Sequence, residues 1–284
     1  MYSQEITRKH RAAFVIVLDR SKSMQELIRF GKLTMTKAEA LTYIANSLIT
    51  ELIDRCRRTD GLRNYYDIAV IGYCNNQVER LLDKRGFIAI DELERHKQQY
   101  CINAHEQQLP DGSWAMIEHS STEWIAPKAE GNTPMYEAML HTRDLVAEWC
   151  SLEPNRESFP PVVIHITDGE ASDCEPKELI DICGEIKRQA TTDGNVLLLN
   201  IHIAANSHLP AVVFPMPDEV PSVGHYASTL AECSSIMPEV FNDAISRLKG
   251  IAATPPFIGM GYNASIIELL SIINIGSRSV NNMQ

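Results

Sequence analysis

The chain has 284 residues, of which 44% are hydrophobic and 22% are charged. These proportions exclude wholesale disorder, and the length suits two small domains or one α/β domain with insertions. The net charge of −11 argues against a nucleic-acid binder, because neutralising phosphates requires a surplus of cations. Residues 1–63 nevertheless carry 12 basic and 7 acidic side chains, which leaves a modest basic surplus in the first quarter of the chain.

Membrane and secretion signals are not visible in the sequence. No stretch reaches the ~18 uninterrupted apolar residues that a membrane span requires, and residues 1–11 are polar, unlike a signal peptide. The seven cysteines are scattered and include no C-x-x-C pair. They are typical of reduced thiols rather than of a disulfide framework or a zinc site, so we expect a cytoplasmic protein.

Strand and helix patterns alternate from the start of the chain. Residues Ala12–Leu18 form a continuous apolar run, which predicts a strand buried on both faces. Residues Lys37–Cys56 carry apolar side chains at helical spacing. A second strand is predicted over Asp67–Tyr73 and a shorter one over Val78–Leu82.

Residues 83–130 are predicted to be an insertion that forms a hairpin or a lid. It contains a charged helical pattern near Asp91–Gln99 and a turn signal at Pro110–Gly112.

Regular alternation resumes after the insertion, with a helix and two strands predicted over Pro134–Trp149, Val162–Thr167 and Val196–Ala204. Between the two strands, a helix is expected with Pro176 in its first turn and with Ser172 or Asp173 as its cap. This order favours an α/β fold with a parallel sheet between helices. We expect one domain over residues 1–205 and a C-terminal extension over 206–284 packed on it.

Three short polar motifs stand at the ends of these elements. Asp19–Ser23 follows the first strand, Gly131–Pro134 precedes a helix, and Thr167–Gly169 follows another buried strand. Because ligands of open α/β sheets bind outside the carboxyl ends of the strands, we expect the three motifs to meet in one crevice.

The residue types in these motifs suit a hard cation. Mg²⁺ prefers six oxygen ligands; Asp19 and Asp168 offer carboxylates, and Ser21, Ser23 and Thr133 add neutral hydroxyls. Such a set leaves the metal with an open coordination position and an electrophilic character, which favours an incoming Glu or Asp carboxylate. Mn²⁺ is an acceptable substitute.

The D-x-S-x-S, G-x-T and T-D-G motifs together resemble the von Willebrand factor type A (VWA) domain over roughly residues 10–205. The resemblance implies a metal-ion-dependent adhesion site (MIDAS) in which Asp19, Ser21, Ser23, Thr133 and Asp168 bind Mg²⁺. It also implies a doubly wound, mostly parallel six-stranded sheet with helices on both faces and one short antiparallel edge strand, assigned to Val78–Leu82. Lys22 departs from the family pattern, which often has glycine there.

Within that family, the acidic, cytosolic character is closest to bacterial proteins of tellurite resistance, stress-response and phage-defence operons, which are thought to work beside kinases and phosphatases. The resemblance thus implies a non-catalytic module that binds the carboxylate of a protein partner through the metal.

Two alternatives stay open. One is the VWA subunit of an AAA-type ATPase machine, whose ATPase must be a separate chain because this one has no G-x-x-x-x-G-K-[ST] loop. The other is a Mg²⁺-dependent phosphate-ester hydrolase, although position 21 is Ser where such enzymes generally carry a second Asp. His165 and His202 lie in apolar strands and are predicted to be hydrogen-bonded core residues.

Overall fold

The architecture is a central β-sheet with helices packed on both faces. The computed structural model describes residues 2–30, 33–95, 100–108, 114–203, 211–220, 225–250 and 255–264. The strands in chain order are β1 Ala12–Asp19, β2 Leu27–Phe30, β3 Leu33–Thr36, β4 Arg57–Arg58, β5 Gly61–Leu62, β6 Tyr66–Cys74, β7 Gln77–Arg80, β8 Ile88–Ala89, β9 Tyr100–Gln108, β10 Trp114–Thr122, β11 Val162–Thr167, β12 Leu197–Ile203, β13 Val212–Val213 and β14 Met260–Ala264. The α-helices are α1 Lys37–Cys56, α2 Ile90–Arg95, α3 Met135–Ser151, α4 Pro176–Arg188, α5 His225–Cys233 and α6 Asn242–Lys249.

The main sheet has five parallel strands in the order β14, β12, β11, β1 and β6. Short antiparallel strands finish its edges: β7 and β8 pair with β6, and β13 pairs with β14. The predicted doubly wound, mostly parallel sheet is therefore confirmed. Strand β7 occupies the edge position expected for residues 78–82, and the short strands β8 and β13 bring the sheet to eight strands rather than six.

Strand β1 shows why the sheet is covered on both sides. All eight of its residues are buried, and alternate side chains belong to opposite cores, as the two-residue period of a strand requires. The core that includes α1 contains Phe14, Ile16 and Leu18. The core on the other face, which includes α3 and α4, contains Ala13, Val15 and Val17.

The helix that follows β11 begins differently from the prediction. Helix α4 has Pro176 in its first turn as expected, but Glu175 precedes it, and the backbone N–H of Glu175 donates to the Glu178 carboxylate at 2.9 Å. The prediction that Ser172 or Asp173 caps this helix is wrong. Both side chains turn instead toward the start of α3, as described below.

The insertion contains a long antiparallel hairpin, in which β9 and β10 pair over nine residues each. The hairpin prediction for residues 83–130 is confirmed, and α2 supplies part of the expected helical pattern. The predicted turn at 110–112 lies outside the described residues, as do residues 96–99.

The far edge of the parallel sheet comes from the end of the chain, since β14 pairs in parallel with β12. The sheet therefore draws on residues on both sides of position 205, and the domain division there stays a prediction. No helix in the described ranges is long and apolar enough to cross a membrane.

Candidate metal centre

Three loops meet at the carboxyl ends of β1 and β11. The first loop (residues 19–26) follows β1, the second loop (130–134) leads into α3, and the third loop (167–173) begins at the end of β11. Strands β1 and β11 are adjacent and parallel, so the polar side chains that follow them emerge at one edge of the sheet. This is the edge at which the three sequence motifs were expected to meet.

Backbone hydrogen bonds join the first loop to the second. The N–H of Lys22 donates to the carbonyl of Gly131 at 3.0 Å, and the N–H of Glu130 donates to the carbonyl of Arg20 at 2.9 Å. Gly131 has a φ of +66°, and a Cβ atom there would lie 2.6 Å from the Cα of Asn75. Only glycine fits both the left-handed backbone and this close approach.

The second and third loops are joined through Thr133 and Ser172. The N–H of Thr133 donates to Ser172 Oγ at 3.0 Å, and the N–H of Ser172 donates to the Thr133 carbonyl at 3.0 Å. Asp173 then accepts the N–H groups of Tyr136 and Glu137, both at 3.1 Å. The third loop therefore caps the first turn of α3, because the N-cap residue of that helix, Pro134, offers no capping side chain.

Asp19 lies at the bottom of the site, with no exposed surface. One of its carboxylate oxygens accepts the N–H of Ser21 at 2.9 Å, and the other accepts the hydroxyl of Thr167 at 2.6 Å. Burial raises the pKa of Asp19, although these hydrogen bonds oppose the shift. Within the described residues Asp19 forms no ion pair, so its charge is held by dipoles alone.

The remaining predicted ligands lie above Asp19. Ser21 Oγ and Ser23 Oγ share a hydrogen bond at 3.0 Å, and Ser23 Oγ donates to Asp168 Oδ1 at 2.6 Å. Four of the five predicted ligands thus belong to one hydrogen-bonded cluster, and Thr133 is tied to the same loops through its backbone.

A lysine that the motifs did not indicate also enters the cluster. Lys37, the first residue of α1, is only 2% exposed, and its ammonium lies 2.8 Å from Asp168 Oδ2 and 2.7 Å from Glu26 Oε2. Its position at a helix N-terminus was the available signal, because a cation there opposes the helix dipole and needs a compensating anion.

The donor chemistry of the cluster fits Mg²⁺. The described residues contain no group of three or more His, Cys, Asp or Glu side chains suited to a metal; the cluster instead combines two carboxylates with hydroxyls. Adjacent oxygens around an octahedral Mg²⁺ lie about 3 Å apart, given bond lengths of about 2.1 Å. The hydroxyl oxygens of Ser21 and Ser23 already have that separation.

A chain of buried polar side chains crosses the sheet below the cluster. His165 shares hydrogen bonds with the Tyr73 hydroxyl at 2.7 Å and with Asn200 at 2.8 Å, and Asn200 donates to Ser234 Oγ at 3.1 Å. Burial lowers the pKa of His165 to about 4, so it is a neutral core residue, as predicted. His202 is only partly buried and stacks on the ring of Tyr262 at a centroid distance of 4.4 Å.

The cysteines whose side chains the structure describes are all free: Cys56, Cys74, Cys150, Cys174, Cys183 and Cys233. Burial raises the pKa of Cys56 to about 11 and the pKa of Cys150 and Cys174 to about 12. A thiol becomes a good nucleophile when its pKa is lowered, so these three are poor candidates for covalent catalysis.

Comparison with known proteins found similarity to solved structures but to no family model and to no curated protein. A von Willebrand factor type A protein from Catenulispora acidiphila shares 14% identity with a TM-score of 0.43, over 78% of this chain and 37% of that one. The chain thus spans little more than a third of that protein's length.

Two further structures are similar at comparable levels. The VWA domain of SpRpn10 shares 13% identity with a TM-score of 0.40, over 70% of this chain and 77% of that one. The vWF domain of the type V pili tip protein Mfa5 from Porphyromonas gingivalis shares 13% identity with a TM-score of 0.35, over 96% and 88% of the two chains.

Proposed function

We propose that the chain is a VWA-type protein-interaction module that binds a partner carboxylate through Mg²⁺, or Mn²⁺ in its place. The metal is held by Asp19, Ser21, Ser23, Thr133 and Asp168. The partner is a protein that supplies a Glu or Asp side chain.

The observation that carries this proposal is the way two loops converge on a few oxygen atoms. Ser21 and Ser23 from the first loop lie within hydrogen-bond distance of each other, and Ser23 contacts Asp168 from the third loop. Asp19 adds a buried charge without an ion pair in the described residues. A polar turn that merely capped a helix would not need two buried carboxylates from separate strands at one point.

The chain's own residues define how a partner would be held. Two carboxylates balance the charge of a divalent cation, whereas the three hydroxyls contribute oxygens without further negative charge. When bound, Mg²⁺ supplies a hard, electrophilic centre with room for one more oxygen ligand. The buried hydrogen bonds of Asp19 keep that ligand set in place before the partner arrives.

A non-catalytic role is the simplest reading of the same residues. The cluster contains no histidine, and the carboxylate that accepts the Ser23 hydroxyl, Asp168, is also held by the Lys37 ammonium. Its basicity is therefore directed at a cation, and we do not expect it to activate Ser23 as a nucleophile. We further propose a cytosolic stress-response or defence complex, tellurite resistance included, with a kinase or phosphatase as partner. This setting rests on the sequence resemblance alone.

The test is capture of partners from native lysate by the full chain, with Mg²⁺ or with excess EDTA, read by mass spectrometry. We expect a partner that is retained only with the divalent metal and is lost in Ser21→Ala. Ser151→Ala, a serine at the end of α3 and outside the site, is the matched control and keeps the partner.

The outcomes separate the alternatives. A partner that binds equally well in EDTA overturns the metal bridge. An AAA-type ATPase among metal-dependent partners would support the chelatase-like or chaperone-like machine. Hydrolysis of a phosphate ester that disappears in Thr133→Ala would overturn the non-catalytic role.

A further inference from the structure

Lys37 is a buried cation placed among the proposed metal ligands. Its side chain is 2% exposed, and the Asp168 side chain that it contacts has no exposed surface. Asp168 therefore has both oxygens engaged, one by the Ser23 hydroxyl at 2.6 Å and the other by the Lys37 ammonium at 2.8 Å. The carboxylate that would balance a divalent cation is already balanced by a lysine.

The second partner of Lys37 differs from the first. Glu26 is 55% exposed, and its carboxylate lies 2.7 Å from the same ammonium. The backbone also joins the two residues, since the N–H of Lys37 donates to the Glu26 carbonyl at 2.9 Å. The ammonium thus stands between a buried carboxylate inside the cluster and a solvent-exposed one at its rim.

We propose that Lys37 is a built-in competitor for the metal: its ammonium holds Asp168 in the metal-free protein and must give up that contact, keeping Glu26, when the site takes a divalent cation. The inference rests on the proposed metal site and concerns its regulation. Two cations beside one carboxylate repel each other strongly in a buried site. Lys37 therefore weakens metal binding, and Glu26 partly offsets this by offering the ammonium another partner.

The arrangement also links the metal site to the fold. Lys37 opens α1, and the first loop, the β2–β3 hairpin and α1 follow one another in the chain. Loss of the Lys37–Asp168 contact removes the ion pair between the start of α1 and the third loop. Metal binding is thereby coupled to the position of the start of α1.

The direct test compares Lys37→Met with Lys22→Met in Mg²⁺ and Mn²⁺ titrations of the full chain, followed by calorimetry and by melting temperature. Both variants remove one positive charge, but Lys22 is exposed on the first loop and only Lys37 contacts Asp168. We expect Lys37→Met to bind the metal about tenfold more tightly or better, and Lys22→Met to change the affinity by less than about threefold.

A second pair of variants covers the case in which Lys37→Met does not fold. Glu26→Gln and Glu130→Gln each remove one exposed negative charge near the site, but only Glu26 contacts Lys37. Without the Glu26 charge, Asp168 is the remaining anionic partner of the ammonium among the described residues, so we expect Glu26→Gln to weaken Mg²⁺ binding several-fold more than Glu130→Gln. When Lys37 is already replaced by Met, Glu26→Gln should weaken Mg²⁺ binding no more than Glu130→Gln does.

Failure of this inference is distinct from failure of the proposed function. If the wild type binds Mg²⁺ through Asp19 but Lys37→Met has wild-type affinity, or if Glu26→Gln and Glu130→Gln are equivalent, the competition is overturned and the metal site stands. If Mg²⁺ binds only after Lys37 is replaced, the competition is supported and the metal dependence of the wild type falls. If neither protein binds Mg²⁺, both are overturned.

Discussion

The two ends of the parallel sheet each bury an aspartate, but they treat it differently. At the amino end of β6, Asp67 accepts the Arg11 guanidinium at 2.7 Å and the indole N–H of Trp149 at 3.0 Å. At the carboxyl end of β1, Asp19 is more deeply buried, and its partners among the described residues are uncharged: it accepts the N–H of Ser21 and the hydroxyl of Thr167. Asp67 is thus paired with a cation, whereas Asp19 accepts hydrogen bonds from uncharged groups.

This difference separates a structural carboxylate from one that can serve a ligand. The Arg11 side chain satisfies Asp67 within the folded chain, so nothing further is needed there. The carboxylates at the other end are arranged with hydroxyls, and the cation that reaches them within the described part of the chain, Lys37, is shared with an exposed glutamate. Asp168 can therefore exchange the Lys37 ammonium for another cation, because the ammonium keeps Glu26 and no buried charge is left unpaired.

The largest expected effect comes from removing the two aspartates in turn. Asp67→Ala leaves the Trp149 N–H unpaired in the core and Arg11 without its anion, so we expect the free energy of unfolding to fall by about 3 to 4 kcal/mol. Asp19→Ala removes a buried charge that has no ion pair among the described residues, and its cost in EDTA should be at most about half of that. Urea unfolding measures both.

The response to Mg²⁺ should rank the same two variants in the opposite order: the variant that loses more stability, Asp67→Ala, should keep the response. Mg²⁺ should raise the melting temperature of Asp67→Ala as it does for the wild type, because a ligand that binds the native state stabilises it. Asp19→Ala should show no such rise. A full-size rise in Asp19→Ala would place the metal elsewhere and break the comparison.

A slightly smaller effect should come from His165, which lies in the polar chain below the proposed metal ligands. Burial lowers its pKa from 6.5 to about 4, so between these two pH values the unfolded chain binds more protons than the folded one. Stability is therefore fully present above pH 6.5 and is lost as the pH falls toward 4, by about 3 kcal/mol. Urea unfolding across this range measures the loss.

The variant that checks this prediction is His165→Asn, which should remove most of the loss of stability that the wild type shows between pH 6.5 and 4. An unchanged slope in His165→Asn would show that other groups govern stability in acid, and that the polar chain is not the neutral structural element described here.

The smallest effect concerns the third loop, which serves both the fold and the site. Asp173→Ala removes the acceptor of two N–H groups at the start of α3, so we expect a loss of about 1 kcal/mol with an unchanged Mg²⁺ response. Ser172→Ala instead frees the Thr133 backbone, and it should weaken Mg²⁺ binding at a similar cost in stability. Equal Mg²⁺ responses in the two variants would remove Thr133 from the ligand set.

Much of the fold was predictable because the relevant signals are local. The continuous apolar run over Ala12–Leu18 predicted a strand covered on both faces, and Lys37–Cys56 is a helix with the predicted bounds. The motif residues Asp19 and Asp168 were expected together because ligands of open α/β sheets bind outside the carboxyl ends of the strands. These inferences need only periodicity, burial and the geometry of parallel strands.

Other features depend on residues that are far apart in the chain. Asp173 resembled a cap for the helix that follows it, yet it caps α3, which lies earlier in the sequence, because the second and third loops meet in space. Strand β14 completes the parallel sheet from residues 260–264, where the local pattern gave no strand signal strong enough to predict it.

The sequence by itself determined the alternation of strands and helices and the oxygen-rich chemistry of the motifs, since both are written in neighbouring residues. Only the tertiary structure decided which charges share a site. Lys37 reaches Asp168 across 131 positions because the start of α1 and the end of β11 converge at one edge of the sheet. An ion pair of this kind depends on distance in space, which no local pattern records.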